Sequence, residues 1–239
     1  MQELYKLYNQ DFLIGAELLD DESINLIVTS PPYKDSDGFS YPWMRKIWVE
    51  MRRLLSKDGL IFLNFGHLAE DKFRPFKVCE QALELGFQLN ETITWKKNHY
   101  RPIQGKKRLN NLTEFIFVLH KGKMRDLDRL AIGVPYKDKS NVKRFANGRD
   151  LKCRGNHWEI NYETIQNKKD KLHNDRFPLE LPLNCIKLAN LKEDDTICDP
   201  FLGSGTTACA AKICNKKFIG FEINNKNFEI ALKRILDLP

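Results

Sequence analysis

"DTICDPFLGSGTTACAAKIC", residues 195–214, decides the fold: an apolar strand leads through two glycines into a helix of small residues. A strand, a glycine-rich loop and a helix in this order are typical of nucleotide-like cofactor sites. Gly203 and Gly205 let the backbone turn tightly and approach a ligand closely. No lysine follows the glycines, which excludes a P-loop. A plain strand-to-helix turn is the alternative interpretation.

The strand that follows this helix, "KFIGFEI", places Glu222 at its carboxyl end. A carboxylate at that place can accept hydrogen bonds from both ribose hydroxyls of an adenosine-bearing cofactor. An acid is also favourable at a helix amino terminus in its own right, which is the structural alternative for Glu222.

Upstream, strands and helices alternate in the same way. The apolar run 24–28, "INLIV", predicts a buried strand, and apolar spacings of three and four predict a helix over 43–55 that Gly59 ends. Residues 60–65, "LIFLNF", predict the next strand. The chain of 239 residues is long enough for one large α/β domain with a small insert. We therefore expect a mostly parallel, doubly wound, Rossmann-like sheet with helices on both faces.

The positive charge is regional. The chain carries 39 Lys and Arg against 32 Asp and Glu, but residues 96–176 alone hold 21 basic and 9 acidic residues. Within this region, residues 123–172 are polar and weakly periodic, which predicts an inserted small domain or an extended loop region. A regional excess of this size indicates a surface that faces a polyanion such as nucleic acid, with a solvated basic surface as the alternative.

Several classes of protein are not favoured. The amino terminus lacks the basic-then-apolar pattern of a signal peptide, and no apolar run approaches the ~20 residues that span a bilayer. We therefore expect a cytoplasmic protein with no membrane partner. The six cysteines are scattered without a Cys-x-x-Cys pair, so we expect no metal site.

"TSPPY", residues 29–33, follows the strand 24–28 directly. Pro31 and Pro32 fix two φ angles and remove two backbone donors. The hydroxyl of Ser30 and the carbonyl of Pro31 can then act as fixed acceptors at the ligand-binding edge of the sheet, and two acceptors suit an amino group with its two donors. Tyr33 adds a flat face on which a base can stack. A stiff surface turn is the alternative.

Together, "TSPPY" and "DPFLGSGTT" resemble the catalytic and cofactor motifs of the DNA amino-methyltransferases that use S-adenosylmethionine. The catalytic motif comes first, a basic variable region follows, and the cofactor motif lies near the carboxyl end, an order that resembles the beta group of that family. The match covers nearly the whole chain except about 123–172. The resemblance implies a methyltransferase domain whose catalytic half is 1–122 and whose cofactor-binding half is 173–239, with a target-recognition insert at 123–172.

The resemblance also implies a role for single residues. Ser30, Pro31, Pro32 and Tyr33 would form the catalytic loop, and Glu222 would hold the ribose hydroxyls. Asp11, in "NQDF", would bind the adenine amino group. The other positions that would line the cofactor pocket or surround its methionine part and ribose are Phe177, Pro178, Asp199, Phe201, Gly203, Gly205 and Thr206.

The implied reaction is transfer of a methyl group from S-adenosylmethionine to the exocyclic amino group of a base that is flipped out of duplex DNA. Within the resembling family, Ser before Pro-Pro-Tyr is more often associated with the 4-amino group of cytosine, and Asp or Asn with the 6-amino group of adenine. We therefore expect cytosine, with adenine as the alternative. Methylation of RNA or of a protein amide, and a non-catalytic DNA-binding relic, are further alternatives.

Two basic segments, 96–108 and 139–158, supply the expected contacts with double-stranded DNA. Arg more often contacts base edges and Lys more often anchors phosphates. The candidates are Lys96, Arg101, Lys106, Arg108, Lys143, Arg144, Arg149 and Arg154. The family further suggests a restriction-modification system with a cognate restriction endonuclease, and a monomer or homodimer.

Overall fold

The computed structural model describes residues 4–98, 107–145, 149–161 and 176–238. In these residues one sheet contains eight strands in the order β1-β8-β7-β2-β3-β5-β4-β6. The strands are β1 Tyr5–Tyr8, β2 Ile24–Thr29, β3 Leu55–Gly66, β4 Gln88–Lys96, β5 Thr113–His120, β6 His157–Glu159, β7 Thr196–Asp199 and β8 Lys217–Phe221. The helices are α1 Phe12–Gly15, α2 Tyr41–Leu54, α3 Arg74–Glu84, α4 Ser140–Phe145, α5 Glu180–Leu188, α6 Thr206–Ile213 and α7 Asn225–Asp237.

The sheet is mostly parallel. β1, β8, β7, β2 and β3 pair in parallel, and β4 pairs in parallel with β6. β5 pairs antiparallel with both of its neighbours, β3 and β4. Two apolar clusters cover the sheet, one containing residues of α5, α6 and α7 and the other residues of α1, α2 and α3. The predicted α/β sheet with helices on both faces is confirmed.

The junction between α2 and β3 differs from the prediction. The helix ends at Leu54, and Leu55 already has extended angles (φ −69°, ψ 131°) and pairs with Ile24. Gly59 therefore does not end the helix but lies inside β3. A Cβ at that position would lie 2.7 Å from Leu55 Cδ1, so a larger residue would require the Leu55 side chain to shift.

Part of the predicted insert extends the sheet. β6 pairs with β4 at the sheet edge, and Trp158 and Ile160 are fully buried in the core. The indole of Trp158 donates to the carbonyl of Gly155. The boundaries 123–172 remain a prediction, and residues 162–172 lie outside the described part. No helix in the described ranges is both long and apolar enough to cross a bilayer.

Candidate functional site

Three neighbouring parallel strands deliver the two sequence motifs to one edge of the sheet. β2 ends at Thr29, directly before Ser30; β7 ends at Asp199; and β8 ends directly before Glu222. Because β8, β7 and β2 are adjacent and parallel, their carboxyl ends lie side by side. This is the edge at which open α/β sheets bind ligands.

Asp199 joins the two motifs. Its Oδ1 accepts hydrogen bonds from Thr29 Oγ1 at 2.7 Å and from the Phe201 amide at 3.0 Å, and its Oδ2 accepts from Thr207 Oγ1 at 2.6 Å. Complete burial raises the pKa of Asp199 to about 6, although the Thr207, Thr29 and Phe201 bonds oppose this and the Glu222 charge adds to it. Asp199 thus holds the start of the catalytic loop against the glycine-rich loop.

The two glycines of the loop differ in what surrounds them. Both have positive φ, 55° at Gly203 and 81° at Gly205. A Cβ on Gly203 would have only the Phe201 carbonyl oxygen within 4 Å, at 3.9 Å, whereas a Cβ on Gly205 would meet Ala231 Cβ at 2.8 Å. Gly205 therefore allows α7 to pack against the start of α6.

Glu222 is tied to the same loop. Its Oε2 accepts from the Gly203 amide at 2.8 Å and its Oε1 from the Asn224 amide at 2.7 Å. Each carboxylate oxygen has two lone-pair sites, so both oxygens can still accept from the two hydroxyls of a ribose. Glu222 lies at the end of β8 and just before α7, at the position expected from the sequence, and its ribose role stays a prediction.

A cleft opens at this edge, and six of the predicted site residues line it. These are Ser30, Phe177, Asp199, Phe201, Gly203 and Thr206. Arg176, Leu202, Ser204 and Asn227 complete the lining. Gly205 lies in the chain between the lining residues Ser204 and Thr206, and Glu222 accepts from the amide of the lining residue Gly203. Asp11, Pro178 and the remaining residues of the catalytic loop are not among the lining residues, and Asp11 Oδ1 caps α1 by accepting from the Leu13 amide at 2.7 Å.

The lining of the cleft offers an aromatic surface and a buried hydrogen-bond acceptor to a ligand. Phe201 gives it an aromatic wall that packs against Trp43, with ring centroids 5.4 Å apart. Asn227 Oδ1 is buried and has no hydrogen-bond partner among the described residues, so an acceptor is available for an ammonium group. Asn227 was not singled out from the sequence, where nothing distinguishes it from the surrounding polar residues of α7.

The catalytic loop is held at both ends. Thr29 is bound to Asp199, and Arg74 donates to the Tyr33 carbonyl at 2.9 Å and to Asp35 at 2.7 Å. Arg74 is buried and also lies 4.8 Å from the centroid of the Phe39 ring. The loop is therefore fixed by tertiary contacts in addition to its two prolines.

The Ser30 and Tyr33 hydroxyls are 2.8 Å apart. The Tyr33 ring stacks on Phe65 at 4.3 Å between centroids, so a base that stacks on Tyr33 would use the opposite face. Three acceptor oxygens lie within hydrogen-bond distance of the Tyr33 hydroxyl: the Asn64 carbonyl at 3.3 Å, Asn64 Oδ1 at 3.2 Å and Glu114 Oε2 at 3.2 Å.

Asn64 and Glu114 were not among the residues predicted from the sequence. Both are buried, and Glu114 forms an ion pair with Lys97 that is almost enclosed. Glu114 could have been found from the sequence, since it is a charged residue in the otherwise apolar strand "TEFIFVLH". A buried charge needs a partner and is often functional.

The predicted DNA contacts fall into three groups. Lys96 and Arg154 form ion pairs with Glu159 at 2.7 Å and with Glu180 at 3.1 Å, and Arg108 donates to the Ala69 carbonyl at 3.3 Å. Lys143 and Arg149 are exposed. Arg101, Lys106 and the side chain of Arg144 lie outside the described residues.

A family model described as DNA methylase matches residues 24–233. The chain is 30% identical over 244 residues to the orphan methyltransferase M.BamHII of Bacillus amyloliquefaciens, which covers 92% of this chain and 91% of that protein. It is 31% identical over 236 residues to the Type II methyltransferase M.HpaI of Haemophilus parainfluenzae, covering 91% and 69%.

Solved structures share the fold. The cytosine-N4-specific PvuII DNA methyltransferase superposes with a TM-score of 0.79 and 22% identity, covering 98% of this chain and 89% of that one. The complex of M1.HpyAVI with S-adenosylmethionine superposes with a TM-score of 0.68 and 24% identity, covering 98% and 100%.

Proposed function

This chain belongs to the DNA methylase family, and from that premise we propose that it methylates the 4-amino group of cytosine in duplex DNA. It is a DNA methyltransferase of the N4/N6 group, and its cofactor is S-adenosylmethionine. The 6-amino group of adenine is the alternative acceptor. The observation that carries the proposal is that Ser30 of the catalytic loop and the glycine-rich loop line one cleft.

The cofactor site consists of the cleft residues and their supports. Glu222 would hold the ribose hydroxyls, Phe201 and Phe177 would flank the ligand, and Asn227 Oδ1 would accept from the ammonium group. Asp11 would accept from the adenine amino group through the carboxylate oxygen that does not cap α1. When bound, S-adenosylmethionine supplies an electrophilic methyl group.

The loop residues activate the amino group of the base. The lone pair of an exocyclic amino nitrogen is delocalised into the ring, which makes the nitrogen a poor nucleophile. Hydrogen bonds from its two N–H groups to Ser30 Oγ and the Pro31 carbonyl oxygen pull the nitrogen towards sp³ geometry and free the lone pair. Because the two prolines fix these acceptors in place, little reorganisation is needed during the reaction.

Ser30 supports cytosine as the target, since the resembling enzymes with Ser at this position more often act on its 4-amino group. The same fold carries cytosine-N4 methylation in the PvuII enzyme. In duplex DNA the amino group cannot reach the cleft from within the stack, so the base is flipped out and held on the face of Tyr33 opposite Phe65. We further propose that 123–172 recognises the target sequence, and that a cognate endonuclease accompanies the enzyme, as befits relatives named Type II methyltransferases.

The test is transfer of a labelled methyl group from S-adenosylmethionine to unmethylated duplex DNA of high sequence complexity. Nucleoside digestion and mass spectrometry should then identify N4-methylcytosine. N6-methyladenine would overturn the choice of base, and methylation of RNA without methylation of DNA would overturn the proposal as a whole.

A single substitution tests the role of Ser30 in the reaction. Ser30→Ala should lower turnover about 100-fold, the usual cost of removing one preorganised hydrogen-bond partner, while the Kd for S-adenosylmethionine changes little. Equal losses of turnover and cofactor affinity would contradict the role given to Ser30.

A further inference from the structure

Three oxygens that can only accept hydrogen bonds lie within 3.3 Å of the Tyr33 hydroxyl. Two of them belong to Asn64, its main-chain carbonyl and its Oδ1, and the third is Oε2 of Glu114. The Asn64 amide group donates to the Phe115 carbonyl at 3.1 Å, which orients the side chain with Oδ1 towards Tyr33. Glu114 is paired with the Lys97 ammonium, and an ionised carboxylate has no hydrogen to give.

This environment decides the direction of the bond between Ser30 and Tyr33. Each hydroxyl has one hydrogen, and that of Tyr33 is drawn to the acceptors around it, the carboxylate above all. If Tyr33 instead donated to Ser30, three oxygens within 3.3 Å of the Tyr33 hydroxyl would face it with no hydrogen between them. Donation from Ser30 to Tyr33 across the 2.8 Å contact avoids this, because the hydrogen of Tyr33 then stays available to these oxygens.

We propose that Glu114, held by Lys97, is a positioning residue that acts through Tyr33 to make Ser30 Oγ an acceptor only. The inference rests on the proposed function, in which Ser30 accepts from the amino group of the base. A Ser30 hydroxyl whose hydrogen is engaged by Tyr33 offers only lone pairs to that amino group. It also repels a carbonyl oxygen at the same place, so the arrangement selects an amino-bearing base over its deaminated counterpart.

The topology explains how Glu114 comes to this place. Glu114 lies near the amino end of β5, and the amino ends of parallel strands lie at the edge opposite the ligand. Because β5 runs antiparallel to β3, its beginning pairs with the end of β3, where Gly66 is opposite Glu114. Lys97 directly follows the end of β4, which pairs with the same part of β5.

A double-mutant cycle tests the inference. Tyr33→Phe keeps the ring that stacks on Phe65 and removes only the hydroxyl, and Glu114→Gln removes the charge. Each should lower kcat about 10–100-fold, by analogy with residues that orient metal ligands through a hydrogen bond. The Kd for S-adenosylmethionine and the KM for DNA should stay within about twofold of wild type. In the Tyr33→Phe background, Glu114→Gln should cost nothing further, because its path to Ser30 is already broken.

Two controls distinguish positioning from stability. Glu84→Gln makes the same chemical change in an exposed ion pair, 2.9 Å from Arg45 on α2, and should leave turnover unchanged. Since Glu114 and Lys97 are nearly enclosed, Glu114→Gln can also unfold the chain; Tyr33→Phe removes no charge and remains decisive in that case. Wild-type turnover in Tyr33→Phe, or losses that multiply in the double variant, would overturn the inference while leaving the proposed function intact.

A binding measurement tests the predicted selectivity without turnover. The site that the enzyme methylates is first mapped by sequencing, and two duplexes containing it are prepared. One carries the target base, and the other carries the base in which a carbonyl oxygen replaces the amino group, which is uracil for cytosine or hypoxanthine for adenine. The wild type should prefer the amino base, and Tyr33→Phe should reduce that preference by about 10-fold, the value of one hydrogen bond. An unchanged preference would overturn the inference. A wild-type chain that methylates no DNA would overturn the proposed function and this inference together.

Discussion

Gly205→Ala is the change whose cost the structure defines most sharply. At φ 81° an alanine is in the left-handed region, which costs about 1–2 kcal/mol for a residue with a Cβ. The new Cβ would also lie 2.8 Å from Ala231 Cβ and 3.0 Å from Ala231 Cα, closer than packed carbon atoms approach. Relief of such overpacking typically costs about 1–3 kcal/mol. The free energy of unfolding should therefore fall by about 2–5 kcal/mol.

Gly203→Ala is the matched control. Its φ is also positive, at 55°, but its Cβ would meet nothing closer than the Phe201 carbonyl oxygen at 3.9 Å. Only the backbone cost of about 1–2 kcal/mol applies. Urea unfolding of the two variants without cofactor should therefore place Gly205→Ala about 1–3 kcal/mol below Gly203→Ala.

A third variant tests the assigned contact itself. Ala231→Gly removes one of the two atoms that the new Cβ would meet, at a helix-interior cost of about 1 kcal/mol when made alone. Combined with Gly205→Ala it should cost less than the sum of the two single changes. Equal stability of the Gly203 and Gly205 variants, or strict additivity in the double variant, would refute the assignment of Gly205 to close packing with α7.

Three further predictions concern the site. Glu222→Ala should raise the Kd for S-adenosylmethionine about 10–100-fold in calorimetry, as expected for lost hydrogen bonds to a charged group, and an unchanged Kd would contradict the ribose role. Burial raises the pKa of Asp199 from 3.8 to about 6, so between about pH 4 and pH 6 the folded state binds more protons than the unfolded state. The contribution of Asp199 to the free energy of unfolding should therefore fall as the pH rises from about 4 to 6, and stay constant above about pH 6. The free energy of unfolding, measured in urea at a series of pH values, should show this fall in the wild type relative to Asp199→Asn. Parallel pH curves for the two proteins would refute the prediction. Lys143→Ala and Arg149→Ala should each reduce the slope of log affinity for DNA against log salt by about 1, whereas an unchanged slope would remove that residue from the interface.

Much of the site followed from short segments of sequence. The strand, glycine-rich loop and helix around Gly203 and Gly205 were predicted, and so was the position of Glu222 at the end of the next strand. These signals lie within a few residues of one another, so backbone sterics and apolar periodicity suffice to find them. Gly59 shows the limit of such signals, since a glycine after a helix indicates a stop but here lies inside β3, against the Leu55 side chain.

The network behind Ser30 could not be predicted in this way. Thr29 and Asp199 are 170 positions apart, and their bond exists because β2 and β7 are neighbours in the sheet. Glu114 reaches Tyr33 only because β5 runs against its neighbours, which brings an amino end of a strand to the ligand-binding edge.

The sequence by itself determined the α/β alternation, the two loops and their chemistry, because each depends on residues that are close in the chain. Tertiary structure alone decided which strands are neighbours, which way β5 runs and which oxygens surround Tyr33. The physical reason is that strand pairing uses backbone hydrogen bonds, which are alike for nearly all residues. The order and direction of the strands therefore depend on the packing of the whole domain, and with them the direction in which the Ser30 hydroxyl donates.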